Sequence, residues 1–206
     1  MELKSAEILN RASKIILTYG IKSVTMDDLA KKLGISKKTL YVHFGDKRKM
    51  ILTLVTNNIA LDKAECELKR SVALNAIDEM FQVTSFVSER LKIANVSFFY
   101  DLRMGYPKAY KAIEDYESGY IYQTILKNLE RGVNEKIYRN DMDPEVVAKV
   151  YMLNVNTVFG GDLFRFTKKS PYDLFLEIFH LHMRGIVNEK GLKLLIEHLS
   201  YVKDKQ

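Results

Sequence analysis

Apolar residues return at helical spacing along nearly the whole chain, and the first such set is Ile8, Ala12, Ile15 and Tyr19, closed by Gly20 before Val24. This predicts a supporting first helix. Thr25 then stands three residues before Asp28, the spacing of a capping box, so a second helix opens at Met26 with Leu29, Ala30 and Leu33 on its apolar face. Gly34 supplies the left-handed residue that ends it. Ile35 lies just outside the next helix, Ser36 is its N-cap, and Leu40 and Phe44 repeat on its inner side. The pattern is helix, tight turn, helix.

Downstream the same periodicity predicts helices near 47–70, 72–92, 95–105, 108–134, 144–167, 171–189 and 191–203, with prolines only at 107, 144 and 171. Strand-like alternation with turn dipeptides is absent. The expected fold is all-α: an N-terminal three-helix domain over 1–48 and a larger helical domain over 49–206, about nine to ten helices in all. No apolar run reaches the roughly 18 residues that span a bilayer, and Met1 begins no secretory pattern, so a cytoplasmic location is expected.

Charge changes how the short helices are read. Lys37 and Lys38 sit in the first turn of their helix, and Lys47, Arg48 and Lys49 follow Asp46, the N-cap of the next. Cations are disfavoured there by the helix dipole, by a few tenths of a kcal/mol each. Two adjacent helix starts that break the same rule point to an anionic partner, and phosphate satisfies the N–H groups, the dipole and the lysines together. Residues 1–50 hold eleven Lys and Arg against five Asp and Glu, a balance of +6. The whole chain is also +6, so residues 51–206 are balanced and the basic character is a local patch.

Gly20, Thr25-Met26, Leu29-Ala30, Gly34-Ile35-Ser36, Thr39-Leu40-Tyr41, His43-Phe44 and Lys47 resemble the N-terminal signature of the TetR family of transcriptional regulators, over roughly residues 5–52. The resemblance implies an all-helical homodimer that binds a palindromic operator through its N-terminal domain and a small molecule through its C-terminal domain. A repressor released by that molecule is the expected function. An activator, or a ligand-independent DNA-binding factor of the same fold, is the alternative. Lys38 departs from the family, which usually has a small residue there; an added cation contacts phosphate or reads a guanine edge.

With local geometry and resemblance combined, Lys37, Lys38, Thr39, Tyr41 and His43 are expected to project from the recognition helix while Leu40 and Phe44 hold it. Thr25 and Lys47 are expected as phosphate clamps at two helix N-termini, and the N-cap Ser36 is a further DNA-binding candidate. His43 either contacts phosphate or covers exposed surface. The helix from Lys47 to about Arg70 joins the two domains and is the expected lever between them.

The segment from Phe81 to Tyr122 holds ten of the chain's twenty-two aromatic residues. Half of these suit ordinary core packing. Phe81, Phe98, Phe99, Tyr100, Tyr106, Tyr110 and Tyr120, with Asn154, are the candidate lining of a pocket for an apolar or aromatic effector.

Two C-terminal helices carry more apolar surface than one chain uses. In 144–167, Val147, Tyr151 and Val158 lie on one side and Ala148, Met152, Val155 and Phe159 on another. In 171–189, Leu174, Ile178, Leu181 and Gly185 form one stripe and Phe175, Phe179, His182 and Ile186 the next. Val155, Phe159, Leu174, Ile178, Leu181 and Gly185 are the expected dimerisation residues, and Gly160 and Gly161 suit close helix approach there or, alternatively, a local kink.

Other chemistry is not supported. No Gly-rich phosphate loop, HExxH, G-x-S-x-G or Cys–His spacing occurs, so no enzyme activity and no cofactor is expected. The single Cys66 excludes a disulfide framework and is expected as a surface thiol on the connecting helix. His180 and His182 project about 200° apart on a helix and cannot chelate one metal together, so no metal site is expected.

Overall fold

The computed structural model describes residues 5–93, 95, 97–159 and 167–203. Within them the helices are α1 (Ser5–Tyr19), α2 (Met26–Leu33), α3 (Lys37–Phe44), α4 (Lys47–Val72), α5 (Ala76–Ile93), α6 (Phe98–Gly105), α7 (Pro107–Tyr116), α8 (Tyr122–Asn134), α9 (Pro144–Phe159), α10 (Pro171–Ile186) and α11 (Glu189–Lys203), with a π-helical segment Glu117–Ile121 before α8. The fold is all-α; among the described residues the one β-type contact is an isolated antiparallel bridge between Tyr138 and Val187.

The chain forms two compact units, one of residues 1–63 and 93–116, the other of residues 64–92 and 117–206. Helix α4 contributes its first part to one unit and its last part to the other.

The core of the first unit gathers Ile8, Ala12 and Ile16 of α1, Ile21 and Val24 of the following turn, Leu29 and Leu33 of α2, Leu40 and Phe44 of α3, and Met50, Ile51 and Leu54 of α4. Phe98 and Leu102 of α6 and Ala109 of α7 complete it. These short helices are marginal alone, so a shared core is what makes them stable. The inner face of α1 is rotated from the expected one: Ile16 is buried, whereas Ile15 is only half-buried and Tyr19 is exposed. An aromatic ring tolerates that exposure because Lys32 lays its ammonium 4.3 Å from the Tyr19 ring centroid.

In the second unit Ile77 of α5, Leu129 of α8, Ala148 of α9, Phe179 and Met183 of α10 and Leu195 of α11 meet in one core. A buried polar cluster ties its helices together. The Glu79 carboxylate accepts from Arg70 Nε at 2.9 Å and from an Arg131 terminal nitrogen at 2.8 Å. Arg131 Nε also donates to Glu135 at 2.7 Å, and Glu135 accepts the Ala76 N–H at 2.8 Å.

Several boundaries follow from caps the periodicity does not reveal. The Asn75 side chain accepts from the N–H groups of Ile77 and Asp78, so α5 starts at Ala76 and not at 72. The expected single helix 108–134 is interrupted by the π-helical segment at Glu117–Ile121, and the expected helix 171–189 stops at Ile186, where Val187 turns extended. Residues 160–166, including Gly160 and Gly161 and most of the remainder of the expected helix 144–167, lie outside the described residues. Cys66 corrects the expected surface thiol: it is buried, and that burial raises its pKa to about 11.

Candidate DNA-binding surface

The local sequence builds the first unit's short helices end by end. Thr25 accepts the Asp28 N–H at 3.1 Å while its own N–H donates to the Asp28 carboxylate at 2.9 Å, completing the capping box. The Thr25 hydroxyl also donates to that carboxylate at 2.6 Å, and this bond is the first cause holding Asp28 below the usual carboxylate range. Gly34, at φ 71°, closes α2 with its N–H on the carbonyls of Ala30 and Lys31. Two residues later the Ser36 hydroxyl oxygen accepts the Thr39 N–H at 3.0 Å and opens α3. The Asp46 side chain does the same for α4, accepting from Lys49 N–H at 2.8 Å.

Helix α3 is held by Leu40 and Phe44, which are 0% and 8% exposed. Its exposed residues are Lys37, Lys38, Tyr41, Val42 and His43; Thr39 is half-buried and its hydroxyl lies 2.8 Å from Ser36 Oγ. Lys37 reaches back to Asp27 at the start of α2, 2.7 Å from one carboxylate oxygen, and passes 5.9 Å from the Tyr41 ring centroid. The hydrogen bond to Asp27 raises the Lys37 pKa. His43 Nδ1 lies 2.7 Å from the Ser5 hydroxyl at the start of α1.

Lys47 is placed differently from the surface clamp expected of it. It is half-buried and its ammonium donates to the Ile21 carbonyl at 2.6 Å, tying the start of α4 to the turn between α1 and α2. Burial lowers its pKa, against the opposing pull of Asp101 and Asp28. Arg48 and Lys49 beside it are exposed. The first unit holds fifteen Lys and Arg against nine Asp and Glu, which accounts for the whole +6 of the chain.

Val42 escaped the sequence reading. Its neighbours in sequence are polar or aromatic, and a lone valine carries no chemical flag. Only counting around the helix from Leu40 and Phe44 would have found it.

The eight candidate effector-binding residues are divided between the two units. Phe98 is buried in the first unit's core, perpendicular to Phe99 with ring centroids 5.2 Å apart, and Phe99, Tyr106 and Tyr110 pack partly buried against the same core. Tyr100 is exposed, with the Lys22 ammonium 5.3 Å from its ring centroid. In the second unit Phe81 packs edge-on to Phe179 at 5.1 Å and stacks with His198 at 4.9 Å. Tyr120 donates to Glu67 at 2.8 Å, and burial first of all pushes its pKa up to about 12. Asn154 is exposed on α9, whereas Asn156 is half-buried and donates to Glu117 at 3.3 Å.

Of the candidate dimerisation residues, Leu181 is 70% exposed and Gly185 is exposed, both on α10. Val155, Phe159 and Ile178 are half-buried, and Leu174 is buried within its own chain. The exposed apolar stripe of α9 is Val146, Val150 and Leu153, on neither of the two faces read from the sequence. Helices α9 and α10 pack on each other. Between them the His182 ring stacks on Tyr151 with centroids 4.0 Å apart. Among the described residues no group of His, Cys, Asp and Glu gathers as metal ligands, and no helix is long and apolar enough to cross a membrane.

A capped helix-turn-helix with a basic, outward recognition helix, built into an all-helical chain, defines a DNA-binding regulator. Residues 8–54 match the family model for bacterial regulatory proteins of the tetR family. Over 156 residues, 75% of this chain and 80% of the relative, it is 24% identical to the uncharacterized HTH-type transcriptional regulator YvaF of Bacillus subtilis. Among solved structures, a putative transcriptional regulator from Saccharomonospora viridis in complex with choline superposes with TM-score 0.69 at 19% identity, covering 90% of this chain and 98% of that one. A TetR-family regulator from Agrobacterium tumefaciens superposes with TM-score 0.69 at 14% identity, covering 89% and 97%. Residues 8–54 thus carry the helix-turn-helix of tetR-type bacterial regulatory proteins, and over three-quarters of its length the chain is similar to an HTH-type transcriptional regulator.

Proposed function

We propose that the protein is a homodimeric repressor that binds a palindromic operator and is released by a small apolar or aromatic molecule. The observation that carries this reading is the α3 surface, where Lys37, Lys38 and Tyr41 stand outward on a helix fixed by Leu40 and Phe44. In this reading Thr25, Ser36, Thr39 and His43 hold the phosphate backbone around that helix, through helix N-termini and hydroxyl or ring donors, while Lys47 braces the start of α4 on the Ile21 carbonyl. Residues 1–48 form the reading head and residues 49–206 bind the effector and the twin subunit.

Dimerisation is supported by apolar surface that one chain leaves in water: Val146, Val150 and Leu153 on α9 with Leu181 on α10. Pairing these helices with their copies gives a four-helix interface with two-fold symmetry. Two recognition helices so joined read half-sites about 34–36 Å apart, one turn of DNA, or a multiple of it. An effector acts by binding more tightly to the state in which that separation is wrong. The site of action is the cytoplasm, where the operator is.

The test is selection of bound sequences from random duplex DNA, followed by measurement of complex mass. A palindrome bound by two chains is expected, and an asymmetric site bound by one chain refutes the dimer. Tyr41→Ala and Lys38→Ala should each weaken binding to the selected duplex, and Lys38→Ala should also flatten its salt dependence by about one unit of slope if Lys38 meets phosphate.

A further inference from the structure

We infer that Val42 reads a thymine, through the 5-methyl group that thymine presents in the major groove. The inference rests on the DNA-binding reading of α3 and assigns a base to one side chain of it.

Helical geometry places Val42 at the outermost point of α3. At about 100° per residue, it projects about 180° from the midline between the buried Leu40 and Phe44, with Lys38 about 40° to one side. Tyr41 and His43 flank it, each about a quarter-turn away. When the inner face of the helix is held by the protein, the residue opposite reaches deepest into whatever the helix enters.

That outermost residue is apolar and 75% exposed. In the free protein it contributes little. Its isopropyl group stays in water, and a β-branched side chain is a poorer helix former than alanine. Nor can valine hydrogen-bond a phosphate or a base edge, so it plays no part in the electrostatic attachment. The major-groove edges of the four base pairs offer donors, acceptors and one apolar feature, the thymine methyl. Contact between the two removes two apolar groups from water with no hydrogen bond left unmade.

The experiment starts from the duplex that the wild-type protein selects from a random pool. Each thymine is replaced in turn by uracil, which keeps every hydrogen-bonding group and removes only the methyl. Burial of one methyl corresponds to about a three- to fivefold loss of affinity, expected at one thymine in each half-site. In Val42→Ala, which favours the helix, that loss should disappear while uracil substitutions elsewhere behave as before. The inference is overturned if no uracil substitution weakens wild-type binding, or if the sensitive position stays sensitive in Val42→Ala. Failure to enrich any sequence overturns the regulator reading and this assignment together, whereas enrichment without methyl sensitivity removes the assignment alone.

Discussion

Asp101 on α6 holds Lys22, in the turn between α1 and α2, by two bonds: its carboxylate accepts the Lys22 backbone N–H at 3.2 Å and lies 3.2 Å from the ammonium. The Asp101 side chain is 7% exposed, and the turn it grips leads directly into Thr25 and α2. A residue far along the chain therefore helps set the start of α2. Asp101→Ala removes the acceptor of a backbone N–H and should destabilise the protein by about 1–3 kcal/mol, whereas Asp101→Asn keeps an acceptor and should cost less. Thermal unfolding gives the order of the two variants. Equal effects would mean that the backbone bond is immaterial.

Glu79 lies buried between Arg70 and Arg131. Removing it leaves Arg70 with Glu67 and Arg131 with Glu135 as their remaining carboxylate partners. Glu79→Ala should cost about 1–3 kcal/mol in urea unfolding, the usual consequence of losing charge-assisted hydrogen bonds from a buried acceptor. A loss under 1 kcal/mol would show that water replaces the carboxylate without difficulty.

Gly132 on α8 faces the ring of Tyr138, and a Cβ at position 132 would clash with the Cδ2, Cε2 and Cγ atoms of that ring. Tyr138 has little room to retreat: it is buried and its hydroxyl donates to Asn128 Oδ1 at 3.1 Å. Despite alanine's better helix propensity, Gly132→Ala should destabilise by about 1–3 kcal/mol or more. Adding Tyr138→Leu to Gly132→Ala should cost less than the two single changes taken together, which a double-mutant cycle measures.

His182 is pushed down to a pKa of about 4 by burial, from 6.5 for the free side chain, and its Nε2 is buried with no hydrogen-bond partner. The unfolded chain therefore takes up this proton at higher pH than the folded one. Stability from this group is complete above about pH 6.5 and is lost as pH falls toward 4, by on the order of 2–3 kcal/mol at the end. His182→Phe keeps a ring against Tyr151 and removes the titration. Its unfolding free energy should depend less on pH between 6.5 and 4 than that of the wild type; parallel curves would refute the assignment.

Legibility of the sequence followed the range of the interaction responsible. Caps are local, so Thr25, Gly34, Ser36 and the ends they set for α2 and α3 could be read from spacing alone. Rotation of a helix about its axis is a tertiary property, which is why Ile16 replaced Tyr19 in the core and why the exposed stripe of α9 is Val146, Val150 and Leu153. Aromatic density along the chain likewise said nothing of which core each ring would join: Phe98 and Phe81 belong to different units. Cys66 stands between two glutamates in sequence, but on a helix its neighbours three and four residues away decide its burial.

On α3 the proposed function divides the labour between residues that hold and residues that read. Leu40 and Phe44 anchor the helix, and Ser36 caps it, while the chemistry at 38, 41 and 42 can change with little loss to the core. Under the proposed function, operator preference would thus drift across generations, or be rewritten by a few substitutions, while the rest of the molecule keeps its sequence.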